Sequence, residues 1–320
     1  MTTKRLCAAL AAILIGCGQV ALYAGPQDKD YKQAVKLYDN GLYDRARDIF
    51  ESLKGRGDVI SEGYAALCSA KLKSDGYEKS LDDYLEKYPE SSLAPQIHLQ
   101  KGLDFFDRGN YADARRELSL FSKDDIFKSQ VAEYIFKRAY CDYGLGDYEP
   151  ARARFSTVEK MPASDFTAPS RYAIGYIDYS NSDFDSAIKW FELASRDPRF
   201  TDIANYYILE CRFNNKDYKF VTENGPEMFE SIPEERQPHL ARILSESFLV
   251  LGNVERAKEY YEKNLVSDEK KSRSDYFYAG SMLYALKDYA GAVEAKRRGW
   301  VRHIGVTSHR ADVAEQCIES

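Results

Sequence analysis

The sequence predicts an all-α chain: a solenoid of about eight helix–turn–helix units, followed by a short non-repeat C-terminal tail. Three observations predict it. An aromatic residue returns about every 35 positions, a small or apolar residue follows it three places later, and Asn or Asp often precedes it. The aromatic falls at Tyr43, Tyr77, Tyr111, Tyr148, Phe184, Tyr218 and Tyr289, with Val254 in the seventh unit, so that successive gaps are 34, 34, 37, 36, 34, 36 and 35. Compositional bias alone does not hold a period that steady over eight units.

Each unit is readable as two helices and a turn. Asn110, Asp147, Asp183, Asp217, Asn253 and Asp288 sit just before the aromatic slot. There they can accept a backbone N–H at a helix start, worth about 1 kcal/mol each. Gly41, Gly109, Gly146 and Gly252 suit a turn that ends the preceding helix. The small slot holds Ala46, Ser80, Ala114, Ala151, Ala187, Val221, Ala257 and Ala292. Four places on stand Phe50, Tyr84, Leu118, Phe155, Phe191 and Tyr261, on the same helical face. A second shared small slot, seven residues before the turn position, holds Ala34, Cys68, Gly102, Ala139, Gly175, Ser245 and Gly280. The two helices of a unit are therefore expected to cross closely at small residues. The sixth unit departs, with Val221 in the small slot and Gly225 in the large one, which predicts an irregularity near 224–238.

Before the repeats, Lys4 and Arg5 precede an apolar run from Leu6 to Ile15. That run is far shorter than the roughly 20 residues a membrane-spanning helix needs. A basic start with a short apolar segment predicts a secretory signal over 1–24, ending after Ala24. The alternative is a lipoprotein signal over 1–16, because Leu14-Ile15-Gly16-Cys17 resembles a bacterial lipobox and would place a lipid on Cys17. Either exit predicts an exported protein, periplasmic or associated with the outer membrane.

Composition narrows the function classes. The chain of 320 residues is 44% hydrophobic and 30% charged, as soluble globular proteins are. The net charge is −6; the first 24 and last 25 residues each carry +2, leaving −10 for 25–295. An acidic body without a Lys/Arg run argues against nucleic acid as a partner. Membrane contact is expected only through a lipid anchor. Cys68, Cys141 and Cys211 have no CxxC pair and no nearby His, so they read as packed thiols, and no metal or cofactor is expected. No G-x-S-x-G, H-E-x-x-H or phosphate-binding loop occurs, and the chain is expected not to be an enzyme.

Over residues 27–295 the spacing, caps, aromatic slot and small slots together resemble the tetratricopeptide repeat. The resemblance implies a right-handed superhelix with a concave groove lined by the first helix of each pair. The groove positions it implies are Phe136, Tyr140 and Tyr143 in one unit and Tyr172, Tyr176 and Tyr179 in the next, with Tyr31, Tyr38, Phe106 and Tyr206 in the same register. Offsets of i, i+4 and i+7 put each trio on one helix face. Tyr suits such a surface, having a large apolar body, a polar tip and few torsions to freeze. The implied function is a non-enzymatic scaffold or adaptor holding a protein or peptide segment in the groove; a glycan polymer is the alternative ligand. The stretch YPESSLAPQIHLQKG, 88–102, is similar to the linker of outer-membrane repeat lipoproteins of the BamD and YbgF kind. That similarity implies envelope assembly or secretion and an outer-membrane or envelope complex as partner.

The phase fails at Lys296, where a large apolar residue should stand. Residues 296–320 contain RHIGVTSH and resemble one β/α unit of an aldo-keto reductase, in which Thr307 and Ser308 would help to hold a nicotinamide. By this fragment alone the chain would be an NADP-dependent reductase. A β/α barrel needs eight such units and about 250 residues, so the fragment is expected to be non-catalytic and not independently folded. The reading it suggests is a hybrid, a repeat array joined to a stray fragment.

Overall fold

The computed structural model describes residues 29–55 and 57–265, with positions 282, 283, 287 and 297. The expected signal segment with Cys17, most of the eighth unit and the tail read as reductase-like, apart from position 297, lie outside the described residues. All described secondary structure is helical. The chain divides into two compact units, Met1–Gly146 and Asp147–Ser320. The first contains α1 (Lys29–Asp39), α2 (Tyr43–Lys54), α3 (Val59–Lys71), α4 (Tyr77–Lys87), α5 (Ala94–Asp107), α6 (Tyr111–Leu118) and α7 (Val131–Gly144). The second contains α8 (Tyr148–Glu159), α9 (Thr167–Ser180), α10 (Phe184–Ala194), α11 (Thr201–Asn214), α12 (Tyr218–Phe229), α13 (Gln237–Val250) and α14 (Val254–Leu265). Within each unit, helices adjacent in sequence pack on one another. Every second helix of a pair, from α2 to α14, starts at the residue that the period assigns to the aromatic slot.

The turns share one device. A residue with left-handed backbone stands at Gly41, Lys73, Gly109, Gly146, Ser182, Lys216, Gly252 and Lys287. The residue after it sends its N–H back to the carbonyl five positions earlier: Leu42 to Leu37, Asn110 to Phe105, Asp183 to Asp178, Asp217 to Arg212 and Asn253 to Phe248, each at 2.9 Å. This closes the first helix in a Schellman motif. In four turns that same residue caps the next helix: Asn110, Asp183, Asp217 and Asn253 accept the N–H three positions on, at 3.2–3.3 Å. One Asn or Asp thus ends one helix with its backbone and starts the next with its side chain. The turn can therefore be three residues long.

The small slots form the crossings. Ala34, Cys68, Ala139 and Ser245 on the first helices and Ala46, Ala114, Ala151, Ala187, Val221 and Ala257 on the second are fully buried. A Cβ on Gly102 would lie 2.6 Å from Leu118, and one on Gly175 would lie 3.0 Å from Phe191. Leu118 and Phe191 therefore lie in the notches left by the glycines of their partner helices. Ser80 is the exception: it is exposed, and Leu81 and Tyr84 take the buried face of α4. The turn from α3 to α4 runs over five residues instead of three and has a second left-handed position at Gly76, which re-phases the helix.

The irregularity expected near 224–238 is present. Gly225 is packed by Leu244 of α13, Pro226 lies inside α12, and a short 3-10 turn, Glu234–Arg236, leads into α13. The long connector between α6 and α7, with 3-10 turns at Lys123–Asp125 and Lys128–Gln130, had no counterpart in the repeat pattern. In the eighth unit, Met282 is buried in the α13–α14 core, and Lys287 has the left-handed backbone expected of the turn.

Two outcomes follow for stability. Gly102→Val should cost about 2–3 kcal/mol, because its branches would overlap Leu118, while Gly55→Ala, whose Cβ would meet nothing closer than 3.4 Å, should be neutral. Urea unfolding monitored by circular dichroism measures both. Lys216→Gly should raise stability by about 0.5–1 kcal/mol by relieving a left-handed backbone at φ 63°, which would appear as a higher Tm.

Candidate functional site

The two predicted trios lie in different compact units. In the first unit, Phe136, Tyr140 and Tyr143 share one face of α7. Tyr140 is 36% exposed and the other two are half-buried. The ring centroids of Phe136 and Tyr143 lie 6.2 and 6.0 Å from that of Tyr140, which also meets Phe106 at 5.4 Å and Tyr111 at 5.7 Å. Lys137 lies over the Phe106 ring at 4.2 Å and pairs with Asp107 at 2.9 Å.

In the second unit, Tyr172, Tyr176 and Tyr179 follow one another along α9 at 6.4 and 6.1 Å. All three are half-buried. Each also touches Tyr207 of α11, at 6.1, 5.4 and 5.2 Å, and Tyr207 stacks on the buried Phe191 at 5.3 Å. Burial pushes the hydroxyl pKa values of Tyr172, Tyr179 and Tyr207 upward, and neighbouring Tyr hydroxyls and the Glu210 carboxylate add to the rise at Tyr179 and Tyr207. These hydroxyls therefore stay protonated and can both donate and accept hydrogen bonds.

The expectation for Tyr206 is corrected. It is 6% exposed and turned inward, and Tyr207 is the half-buried ring beside the α9 trio. Two adjacent tyrosines cannot be assigned to faces without knowing how α11 is rotated, and Leu209, where a small residue is usual, gave no guide.

Behind the rings lies a feature the motif reading missed. Asp104, Asp142, Asp178, Glu210 and Glu246 recur near the ends of the first helices, 38, 36, 32 and 36 residues apart. The first four are buried. Asp104 is held by Lys73 and by Gln100 at 3.0 Å, and Asp142 lies 3.6 Å from Arg115 of the preceding helix. Asp178 accepts two bonds from Arg152, at 2.6 and 2.9 Å, and one from Ser186 at 2.6 Å. Such bidentate pairs fix one geometry and so tie neighbouring helices in register. The acidic period of about 36 was visible in the sequence; its partners, contributed from other helices, were not.

Within the second unit, Glu210 sits between Tyr179 and His239. It accepts from the Tyr179 hydroxyl and lies 3.1 Å from Nδ1 of His239, which is itself 3.0 Å from the Tyr206 hydroxyl. Burial alone would raise its pKa, but the hydrogen bond and charge of His239 and the hydroxyls of Tyr179 and Tyr206 outweigh it and hold it below the usual carboxylate value. The Arg236 guanidinium lies over the Tyr206 ring at 5.1 Å and the Tyr207 ring at 6.0 Å. Glu246, half-buried, is pushed upward by burial against the pull of Arg242, 3.5 Å away. The second unit thus presents a face of tyrosines edged by Arg236, His239 and Arg242. Such a face can make apolar, cation–π and hydrogen-bonded contacts. Among the described residues, no group of three His, Cys, Asp or Glu side chains is placed to hold a metal ion, and no helix is long and apolar enough to cross a membrane.

The structure of apo RapI matches with a TM-score of 0.52 at 13% identity, covering 83% of this chain and 86% of its own. The fold is of the tetratricopeptide-repeat type. PilW, a type IV pilus biogenesis factor, aligns at 17% identity over 64% of this chain and 91% of its own, with a TM-score of 0.47. A tetratricopeptide repeat protein from Parabacteroides merdae aligns at 13% identity over 91% of this chain and 98% of its own, with a TM-score of 0.42. No protein-family model and no curated protein sequence matches the chain.

The Glu210 cluster has a pH signature. A carboxylate whose folded pKa is depressed contributes stability that is fully present above its unfolded pKa and is lost as pH falls through the folded value. Glu210→Gln should therefore lower Tm at pH 6–7, and its gap from wild type should narrow steadily below about pH 4.5. Thermal melts from pH 3 to 7 test this.

Proposed function

We propose that the chain is a non-catalytic scaffold that holds a segment of a protein partner against the tyrosine faces of its first helices, in assembly or secretion at the bacterial cell envelope. The observation that carries this reading is the face built from Tyr172, Tyr176, Tyr179 and Tyr207. Its half-buried rings are packed on one another and on Phe191, and burial keeps the hydroxyls of Tyr172, Tyr179 and Tyr207 protonated. Rings already fixed by packing lose little entropy when a partner docks, and each offers a large apolar surface with a polar tip. Tyr140, the most exposed of the predicted rings, gives the first unit a second such face beside Phe106 and Tyr111.

The envelope location rests on sequence alone. The basic and apolar N-terminal segment supports export, with two exits: cleavage after Ala24, or lipidation at Cys17 through the Leu14–Cys17 lipobox pattern. The similarity of 88–102 to outer-membrane repeat lipoproteins supports the same compartment. A combined Tyr140→Ala, Tyr143→Ala, Tyr172→Ala and Tyr176→Ala variant should lose its partner adduct when intact cells are crosslinked and adducts are identified by mass spectrometry. Its circular dichroism should stay helical. An adduct of unchanged yield on a folded variant would reject the tyrosine faces as the docking surface.

A further inference from the structure

The sixth hairpin, where the repeat pattern fails, borders a second site. Gly225 stands where Leu118, Phe155 and Phe191 stand in other second helices, and Pro226 removes a backbone donor from the interior of α12. Leu244 of α13 moves into the notch at Gly225, where a Cβ would lie 2.5 Å from its Cδ2. Between α10, α11 and α12 lies a cleft of about 570 Å³, a size that suits a small organic ligand.

Its floor is apolar: Ile208 and Leu209 from α11, Phe220 and Met228 from α12. Its rim carries Glu192, Asp202, Asn205 and Glu227. Arg212, whose guanidinium lies over the Phe220 ring at 4.9 Å, stands 4.0 Å from Glu192 and offsets that carboxylate, so the acids left to receive a cation are Asp202 and Glu227. The hydroxyl and amide donors nearest the rim are turned onto their own helices. Ser195 donates to the Glu192 carbonyl at 3.1 Å, Ser231 to Met228 at 3.0 Å, and Asn224 to Phe220 at 2.8 Å. What remains facing the cleft is mostly acceptors. Elsewhere in this unit, acids on the first helices meet a base, as Asp178 meets Arg152 and Glu246 meets Arg242. Asp202 and Glu227 meet none among the described residues. A ligand that fills this cleft must bring donors and positive charge to the rim and apolar surface to the floor.

We propose that this cleft binds an organic cation, a protonated amine or guanidinium carried on an aliphatic or aromatic body. The same chemistry is offered by a free amine and by a Lys or Arg side chain of a polypeptide. None of the groove tyrosines lines the cleft, so this site stands apart from the proposed partner surface.

Calorimetric titration of the full chain tests it with 4-phenylbutylamine and with its neutral analogue 4-phenylbutanol. A parallel arm uses the peptide acetyl-Leu-Lys-Leu-amide and its Lys-to-norleucine counterpart. The amine, the Lys peptide or both should bind at least about tenfold more tightly than the neutral counterpart. A combined Asp202→Asn, Glu227→Gln variant should abolish that preference while its thermal melt is unchanged. Binding of the amine alone identifies a free molecule as the ligand, and binding of the peptide identifies a polypeptide side chain. The proposal is overturned if neither cation binds, if the neutral analogues bind as tightly as the cations, or if the double variant keeps the preference. The salt dependence of binding gives an independent check on the wild-type chain: no weakening between 50 and about 500 mM NaCl would equally overturn it.

Discussion

Close crossing of two helices at a small residue is the constraint from which the rest of this structure follows. A helix pair of this length cannot bury much apolar surface unless its axes come near, and they come near only where a side chain is missing. Gly102 beneath Leu118 and Gly175 beneath Phe191 show the arrangement most plainly. Ala34, Ala139 and Ser245 fill the same slot with little more than a Cβ. Once the crossing is set, the large residue of the second helix has one place to go. The first helix is left with its other face available for aromatic side chains.

The turns make that crossing repeatable. An Asn or Asp that closes one helix with its N–H and caps the next with its carboxylate or amide allows the chain to reverse in three residues. Where the turn lengthens, as before α4, the helix after it rotates and Ser80 leaves the core. The buried acids add a second level of order. Arg115 to Asp142 and Arg152 to Asp178 join the second helix of one pair to the first helix of the next. Removing one partner of such a pair would leave a buried carboxylate uncompensated, so each link favours the one arrangement of helices in which it can form.

The same packing leaves two kinds of surface in the second unit. The tyrosine face runs along α9, with Tyr207 of α11 locking its three rings. The acceptor-lined cleft lies between α10, α11 and α12, beside the positions Val221, Gly225 and Pro226 that depart from the repeat. The sixth unit thus contributes to both surfaces, through different faces of its two helices.

The sequence by itself determined the class of fold, the start of every second helix through α14, the caps at Asn110, Asp183, Asp217 and Asn253, and the small slots other than Ser80, because these depend on residues close together in the chain and on a period of about 35. Asp147, read as a cap, makes no side-chain cap bond. The sequence also placed the two aromatic trios on single helix faces, since i, i+4 and i+7 spacing is local geometry. Tertiary structure alone decided that Tyr206 turns inward and Tyr207 outward, that Ser80 is exposed, and that Glu210 is held by Tyr179 and His239. Each of those outcomes depends on the rotation of one helix against another. That rotation is set by turn length and by side chains some 30 residues away, whose meeting no local pattern records.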